Sequence, residues 1–266
     1  MTAPSPNWRG SAALYDAMAP GYDAIFAKPG YRRAYDRLAG EYVSGLLPTT
    51  PGTIVDAGCG TARWARRWLS LGHRVTGIEQ SPEMIAELKQ MKLGNRFTLI
   101  AGNMEQAEIA PASADLVVAL GSMQYVADPD SMMRRFAEWV RPGGHVCVYT
   151  DSLTALVLEL MRMGKTDEAL QRLNTRRGVF RQGDSIAELH LFDRAALEAM
   201  FTAAGLVDIR CHGLLVTASA WDKARSAEAA LADEASFLAL ERRLMADPAM
   251  ADAGKHIIVS GRRPEA

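Results

Sequence analysis

From residue 53 to residue 150 the chain alternates short apolar runs with helical stretches, and few folds admit that rhythm. Residues 53–57, 74–79, 97–101, 115–120 and 145–150 have the length and composition of strands. Residues 61–71 and 131–140 have helical spacing, and another helix is predicted to open at Ser81-Pro82-Glu83-Met84. Ser81 is its expected N-cap. Pro82 takes the first helical position, where a missing N–H leaves no bond unmade. The helix over 131–140 is expected to stop at Arg141-Pro142-Gly143-Gly144. The run Leu116-Val117-Val118-Ala119-Leu120 is apolar without alternation, as suits a strand buried on both faces. Alternating strands and helices signal a mostly parallel sheet with helices packed on both sides.

The flanks are less regular. Residues 1–10 read as a loose tail. Leu14, Met18, Tyr22, Ile25 and Phe26 stand at near-helical spacing, residues 31–46 read as a second helical stretch, and Pro48 and Pro51-Gly52 break the chain. Beyond Asp151 an apolar helical stripe (Leu153, Leu156, Val157, Leu160, Met161) precedes a polar stretch with Arg172, Arg176, Arg177 and Arg181. Alternation resumes over 186–192. Asp193 is the expected N-cap of a helix to residue 204, with Gly205 as its stop. Residues 207–216 and 256–261 read as late strands, separated by a long helix near 226–245.

A formal net charge of −1 gives no global electrostatic case for nucleic acid or an anionic membrane. Cys59, Cys147 and Cys211 suit neither a disulfide framework nor a metal cluster. No apolar run reaches the roughly 20 residues of a bilayer span, and no apolar core of a leader stands near the N-terminus. The expected location is the cytoplasm.

In an open parallel sheet, ligands sit beyond the carboxyl ends of the strands, near the point where strand order reverses. Gly58-Cys59-Gly60 follows the first strand of the alternating region. Its glycines allow close ligand approach, and the helix behind offers free N–H groups. Glu79 ends the second strand about 20 residues on, where a carboxylate can accept bonds from both hydroxyls of a ribose. A dinucleotide site has the same glycines and the same acid. Two residues tilt the reading away from it: Arg63 stands where a third glycine is expected, and Asp56 precedes the loop, where it suits an ammonium better than a diphosphate.

Val55-Asp56-Ala57-Gly58-Cys59-Gly60-Thr61, Gly77-Ile78-Glu79-Gln80-Ser81-Pro82-Glu83-Met84, Gly102-Asn103-Met104-Glu105, Asp115-Leu116-Val117-Val118 and Val140-Arg141-Pro142-Gly143-Gly144-His145 occur in order. In these five segments the chain resembles the class I, Rossmann-like S-adenosylmethionine-dependent methyltransferases. The resemblance covers residues 11–150 well and the C-terminal strands in part, but not 151–190. It implies an α/β, three-layer, seven-stranded, mostly parallel sheet with N-terminal helices and a helical insertion after the fifth strand. The expected organisation is a single methyltransferase domain over 1–266. Within it lie a helical cap (11–47), a cofactor-binding core (53–150), an insertion or lid (151–190) and C-terminal strands and helices (191–266).

The implied cofactor is S-adenosylmethionine, with S-adenosylhomocysteine as product and no metal. Gly58, Cys59 and Gly60 would pack against its methionine moiety, and Asp56 would hold the amino group. Glu79 would take the ribose hydroxyls, while Gln80 and Met84 border the adenine. Asn103 would bond the adenine amino group through its carbonyl oxygen, with Met104 against the ring and Glu105 beside it. Leu120 and Gly121 would face the methionine portion. Tyr15 and Tyr22 belong to a segment that in the family folds over the cofactor.

Methyl transfer from a sulfonium needs an aligned nucleophile, and a base only where that nucleophile carries a proton. His190 is the candidate base, with His212 behind it. His73, His145 and His256 stand at strand starts, the far end of a parallel sheet from the site, and read as structural. Met123, Gln124, Tyr125 and Trp221 are the candidate acceptor contacts. Trp64, Trp68 and Trp139 read as core. The stripe over 153–161 reads as core packing, a lid or a homodimer contact, and the four arginines as a solvated face or an anion clamp. The leading expectation is a methyltransferase acting on a small molecule at O, N or C. Two alternatives stand beside it. One is a tRNA wobble-uridine carboxylate methyltransferase, from the similarity of Leu240-Glu241-Arg242-Arg243 and the strand beginning at His256 to the tail of such enzymes. The other is a module that binds the cofactor without catalysis.

Overall fold

The computed structural model describes residues 9–28 and 30–265. Of the expected tail over 1–10, residues 1–8 lie outside those described, and residues 9 and 10 open the first helix. The elements run α1 (Arg9–Met18), α2 (Tyr22–Ala27), α3 (Tyr31–Ser44), β1 (Thr53–Ala57), α4 (Arg63–Ser70), β2 (Arg74–Glu79), α5 (Pro82–Gln90), β3 (Phe97–Ala101), β4 (Ala114–Leu120), α6 (Pro129–Trp139) and β5 (Val140–Asp151). Then come α7 (Leu153–Arg162), α8 (Thr166–Thr175), β6 (Arg177–Gln182), β7 (Ser185–His190), α9 (Arg194–Ala203), β8 (Val207–Leu214), α10 (Val216–Ala220), α11 (Lys223–Ala232), α12 (Glu234–Met245) and β9 (His256–Arg262).

Seven strands form one sheet in the order β3-β2-β1-β4-β5-β9-β8. The pairs from β3 to β5 are parallel, while β9 runs antiparallel between β5 and β8. The order reverses between β1 and β4, so a crevice opens above the carboxyl ends of those two strands. The apolar run in β4 follows from this central place. Leu116 and Val118 join Ile54 in the core on one face, and Val117 and Ala119 join Val55 and Ala57 in the core on the other. With period two and helices on both sides, every position of such a strand is inside.

Local signals set several boundaries. The Ser81 hydroxyl accepts from Met84 N–H with Pro82 at the first turn, and Asp193 accepts from Ala196 N–H. Gly205 ends α9 with φ +77°.

Four expectations change. The helix expected near 226–245 is two helices, because Asp233 at φ −152° leaves helical geometry and its carboxylate caps α12. The strand expected over 207–216 ends at Leu214, since Leu215 has φ +55°. The apolar spacing from Leu14 to Phe26 is interrupted at Ala19-Pro20-Gly21, where Gly21 adopts φ +79°. The insertion over 151–190 is only half helical: α7 and α8 are followed by the antiparallel hairpin β6–β7. That hairpin lies against α1, and Leu189 and Leu191 pack in a third core with Leu14, Met18, Met84, Leu153, Val157 and Leu160. Most of the 153–161 stripe is therefore core, Leu156 lines a cavity, and Met161 is exposed. Among the described residues, no helix is long and apolar enough to cross a membrane.

Candidate active site

Two adjoining cavities open above the reversal between β1 and β4. The narrower is lined by Gly58, Gly60, Glu79, Gln80, Asn103, Met104 and Glu105, with Ser11, Ile78, Gly102, Ser122 and Val126 completing it. The wider has a volume of about 350 Å³, within the range of small-molecule pockets. Tyr15, Tyr22, Leu120, Gly121 and Tyr125 line both.

The loop after β1 is shaped by its neighbours. Gly58 and Cys59 N–H both donate to Ile78 O, at 2.8 and 3.0 Å. Gly58 has φ +83°, and a Cβ there would overlap the Ser122 side chain, so only glycine fits. Gly60 N–H donates to Glu79 Oε2 (2.8 Å), while Glu79 Oε1 accepts from Gln80 and Ser81 N–H at 2.9 and 2.8 Å. Glu79 thus closes the loop onto β2 and keeps lone pairs for a ligand hydroxyl. Burial pushes its pKa up, and the three backbone donors act against that rise.

Asp56 is fully buried behind the loop and lines neither cavity. Burial first, then the Glu79 charge, push its pKa to about 7 despite Arg63. Its Oδ2 has no hydrogen-bond partner among the described residues. A buried acceptor without a donor carries a free-energy cost, and an ammonium reaching it would remove that cost.

The other expected contacts divide. Cys59 turns into the core with Trp64 and Val75, and Met84 is fully buried against Leu14 and Met18, so neither borders a cavity. Asn103 lines the narrower cavity, yet its Oδ1 already accepts from Glu105 N–H (2.9 Å), capping a short turn. Glu105 Oε1 in turn accepts from Ala127 N–H at 3.0 Å. Of the expected acceptor contacts, Gln124 and Tyr125 line the wider cavity. Met123 is wholly core, and Trp221 lies off both cavities with the Arg225 guanidinium 5.0 Å from its ring.

His190 is displaced from its expected role. It lines neither cavity, and its Nε2 stands 3.0 Å from Val126 O and 2.9 Å from the Arg177 guanidinium. Burial and Arg177 push its pKa down to about 4, too weak a base for an acceptor proton near neutrality. His212 Nδ1 is bound to Met245 O at 2.8 Å. Three of the four arginines are taken up by neighbouring side chains. Arg172 pairs with Glu168, Arg176 with Asp193, and Arg177 reaches His190.

Residues outside the expected set dominate the wider cavity. Tyr31, Arg32, Tyr35, Arg63, Tyr149, Asp151, Lys255 and His256 all line it. Six of the seven tyrosines stand on its wall. Burial pushes the phenols of Tyr15, Tyr22, Tyr35, Tyr125 and Tyr149 up, so they remain neutral donors. Arg63, which argued against a dinucleotide, leaves the loop to pair with Asp36 and lies over the Phe26 ring at 3.9 Å. His256 contradicts its assignment to the far end of the sheet. It starts an antiparallel strand, and its register partner is Asp151 at the carboxyl end of β5. The start of such a strand is at the site end.

The family model for a methyltransferase domain matches residues 55–148. Malonyl-(acyl-carrier protein) O-methyltransferase of Serratia marcescens is 28% identical over 145 residues, covering 54% of this chain and 53% of that protein. The chain therefore spans about half the length of such curated relatives. Phosphoethanolamine N-methyltransferase 2 of Haemonchus contortus, solved with S-adenosylmethionine, aligns over 94% of this chain and 57% of its own, with TM-score 0.62 and 19% identity. The cyclase SpnF aligns over 98% of both chains with TM-score 0.62 and 18% identity. Residues 55–148 therefore carry a methyltransferase domain, and in sheet order and loop the fold is similar to that of the class I, Rossmann-like S-adenosylmethionine-dependent methyltransferases.

Proposed function

We propose that the protein binds S-adenosylmethionine in the narrower cavity and methylates a small molecule held in the wider one. The observation that carries this reading is the shared wall: Tyr15, Tyr22, Leu120, Gly121 and Tyr125 border both spaces, so groups bound in each would meet there. The residues fit the cofactor. The glycine turn leaves room for close approach, Glu79 keeps acceptor capacity for ribose hydroxyls, and the unpartnered Asp56 Oδ2 suits an ammonium. Bound there, the sulfonium would supply an electrophilic methyl group and leave as a neutral thioether. The chain's own task is to hold, align and exclude water. The N-terminal helices do the excluding. Gln80 Nε2 donates to Ser11 Oγ (2.9 Å), Ser81 Oγ to Asp16 (2.5 Å) and Thr61 Oγ1 to Asp23 (2.5 Å). These bonds tie α1 and α2 over the loop.

The two named methyltransferases carry acceptors as different as malonyl-(acyl-carrier protein) and phosphoethanolamine in their names. The acceptor is therefore read from this chain's own cavity. The separation of Arg172, Arg176 and Arg177 into local pairs gives no support to an RNA acceptor. Calorimetric titration with S-adenosylmethionine tests the first half: the expected result is saturable one-to-one binding, and no heat at millimolar ligand rejects it. Release of S-adenosylhomocysteine over a metabolite panel tests the second half. Binding without release on any acceptor would leave a cofactor-binding module.

A further inference from the structure

Among the described residues, His256 is the only histidine lining either cavity. Asp151 and His256 are register partners on β5 and β9, as are Tyr149 and Ile258. Directly opposed residues share a face of the sheet, so carboxylate and imidazole emerge side by side. His256 Nδ1 lies 3.2 Å from Asp151 Oδ1, and Gln124 Nε2 donates to Asp151 Oδ2 at 3.3 Å. The carboxylate is held from two sides and in turn fixes the ring. With Nδ1–H directed at Asp151, Nε2 is the basic atom.

The groups around the ring offer no competing base. Tyr35 on α3 and Tyr149 on β5 face it at centroid distances of 5.4 and 4.9 Å, and burial keeps both phenols protonated. Burial favours a neutral Asp151, but the bond and charge of His256, with Lys255 and Lys223, hold its pKa below the ordinary carboxylate value. Glu159 on α7 accepts from Lys255 at 2.6 Å and Lys223 at 3.5 Å, and its pKa is lowered despite burial. Glu159 is thus engaged by two lysines, and Asp151 by His256 and Gln124.

The approach to His256 is a continuous wall of rings. Tyr125, Tyr15, Tyr22, Phe26, Tyr35 and Tyr149 follow one another at centroid distances of 5.8, 6.2, 5.3, 5.8 and 5.9 Å. The first three line both cavities, so the wall runs from the shared boundary to the imidazole. Stacked and edge-on contacts with such a wall favour a flat aromatic guest.

We propose that the acceptor is a phenol lying along this wall, and that His256, positioned by Asp151, is the general base that takes its proton. This inference rests on the methyl-transfer reading above. The phenol O–H proton passes to Nε2. The oxygen lone pair forms the bond to the methyl carbon, the C–S bond breaks and its pair stays on sulfur. The imidazolium then returns the proton to water.

The test compares unsubstituted phenol with 4-nitrophenol, which is already ionised in mildly alkaline buffer. In His256→Gln, turnover of phenol should fall about 100-fold or more, while that of 4-nitrophenol falls less than about 10-fold, since general-base catalysis contributes roughly 10²–10⁴ only where a proton must leave. Asp151→Asn should show the same pattern with smaller losses and a shifted pH profile. A second readout needs no turnover. With S-adenosylhomocysteine present, 4-nitrophenol bound to the wild type should absorb as phenolate at a pH where free 4-nitrophenol is protonated. His256→Gln should bind it as the phenol. Equal losses on both acceptors, no phenolate spectrum, or no methylation of either phenol overturns the proposal. S-adenosylmethionine titration of the wild type separates that result from failure of the underlying reading, which no binding at all would signal.

Discussion

Replacing Asp56 by Asn should make the free protein more stable and its hold on the cofactor weaker. Asp56 is 1% exposed, and one of its oxygens has no partner. Burial, then Glu79, carries its pKa from 3.8 to about 7. The folded state therefore binds this proton more tightly than the unfolded chain does. The stabilisation is fully present below about pH 4 and is lost as pH rises toward 7, reaching on the order of 4 kcal/mol once Asp56 is ionised. Asn carries no charge and avoids that loss. At about pH 8 the variant should melt higher by on the order of 10 °C, with the gap closing toward pH 4. S-adenosylmethionine should bind about 5- to 15-fold more weakly, because a charge-assisted bond of about 1.5–3 kcal/mol becomes a neutral one of about 0.5–1.5 kcal/mol. A bound ammonium would also lower the pKa of wild-type Asp56, so binding near neutral pH should release protons. Melting curves across pH, with titrations in buffers of different ionisation enthalpy, measure all three effects. A variant that is less stable in alkaline buffer, or that binds the cofactor as tightly as the wild type, refutes the reasoning.

Gly58→Ala sets a methyl group into Ser122 at φ +83°; it should destabilise by about 2–4 kcal/mol and abolish cofactor binding, read by chemical denaturation and calorimetry. Glu79→Gln puts an amide NH₂ or a neutral carbonyl where Gly60, Gln80 and Ser81 N–H now meet a carboxylate; affinity for S-adenosylmethionine should fall about 10- to 100-fold. Glu241→Ala removes the fully buried carboxylate that accepts from Val216 N–H and Thr217 N–H, each at 3.0 Å, and from the Thr217 hydroxyl. It should cost about 3–5 kcal/mol in urea titrations, and Glu241→Gln distinctly less.

What could be read from the sequence was local or strictly periodic. The unbroken run from Leu116 to Leu120 announces a strand covered on both faces. Ser81-Pro82 and Asp193 announce helix starts through bonds made within one turn. Gly58, Glu79 and Asn103 can be placed because consecutive β–α connections bring the ends of parallel strands to one edge. His256 could not, because its place depends on strand direction. Were β9 parallel, its first residue would lie at the foot of the sheet; running antiparallel beside β5, it lies at the top. Met84 and Met123 have the right neighbours in the chain, but the helical and turn geometry points them inward. Residues 152–190 stayed unreadable because their hairpin packs on α1 and their helices pack on each other in a separate core, rather than against the sheet. One signal was overlooked. Tyr15, Tyr22, Tyr31, Tyr35, Tyr125 and Tyr149 all fall in the N-terminal helices, just beyond the fourth strand or near the carboxyl end of the fifth, where a pocket wall is drawn from.

The central claim is that the loop from Asp56 to Gly60, closed by Glu79, holds S-adenosylmethionine. Native mass spectrometry of the purified protein tests it most directly. The prediction is one S-adenosylmethionine or S-adenosylhomocysteine per chain, retained from the cell or taken up on addition, and absent from Gly58→Ala. A nicotinamide dinucleotide in its place, or no adduct when S-adenosylmethionine is supplied in excess, contradicts the account.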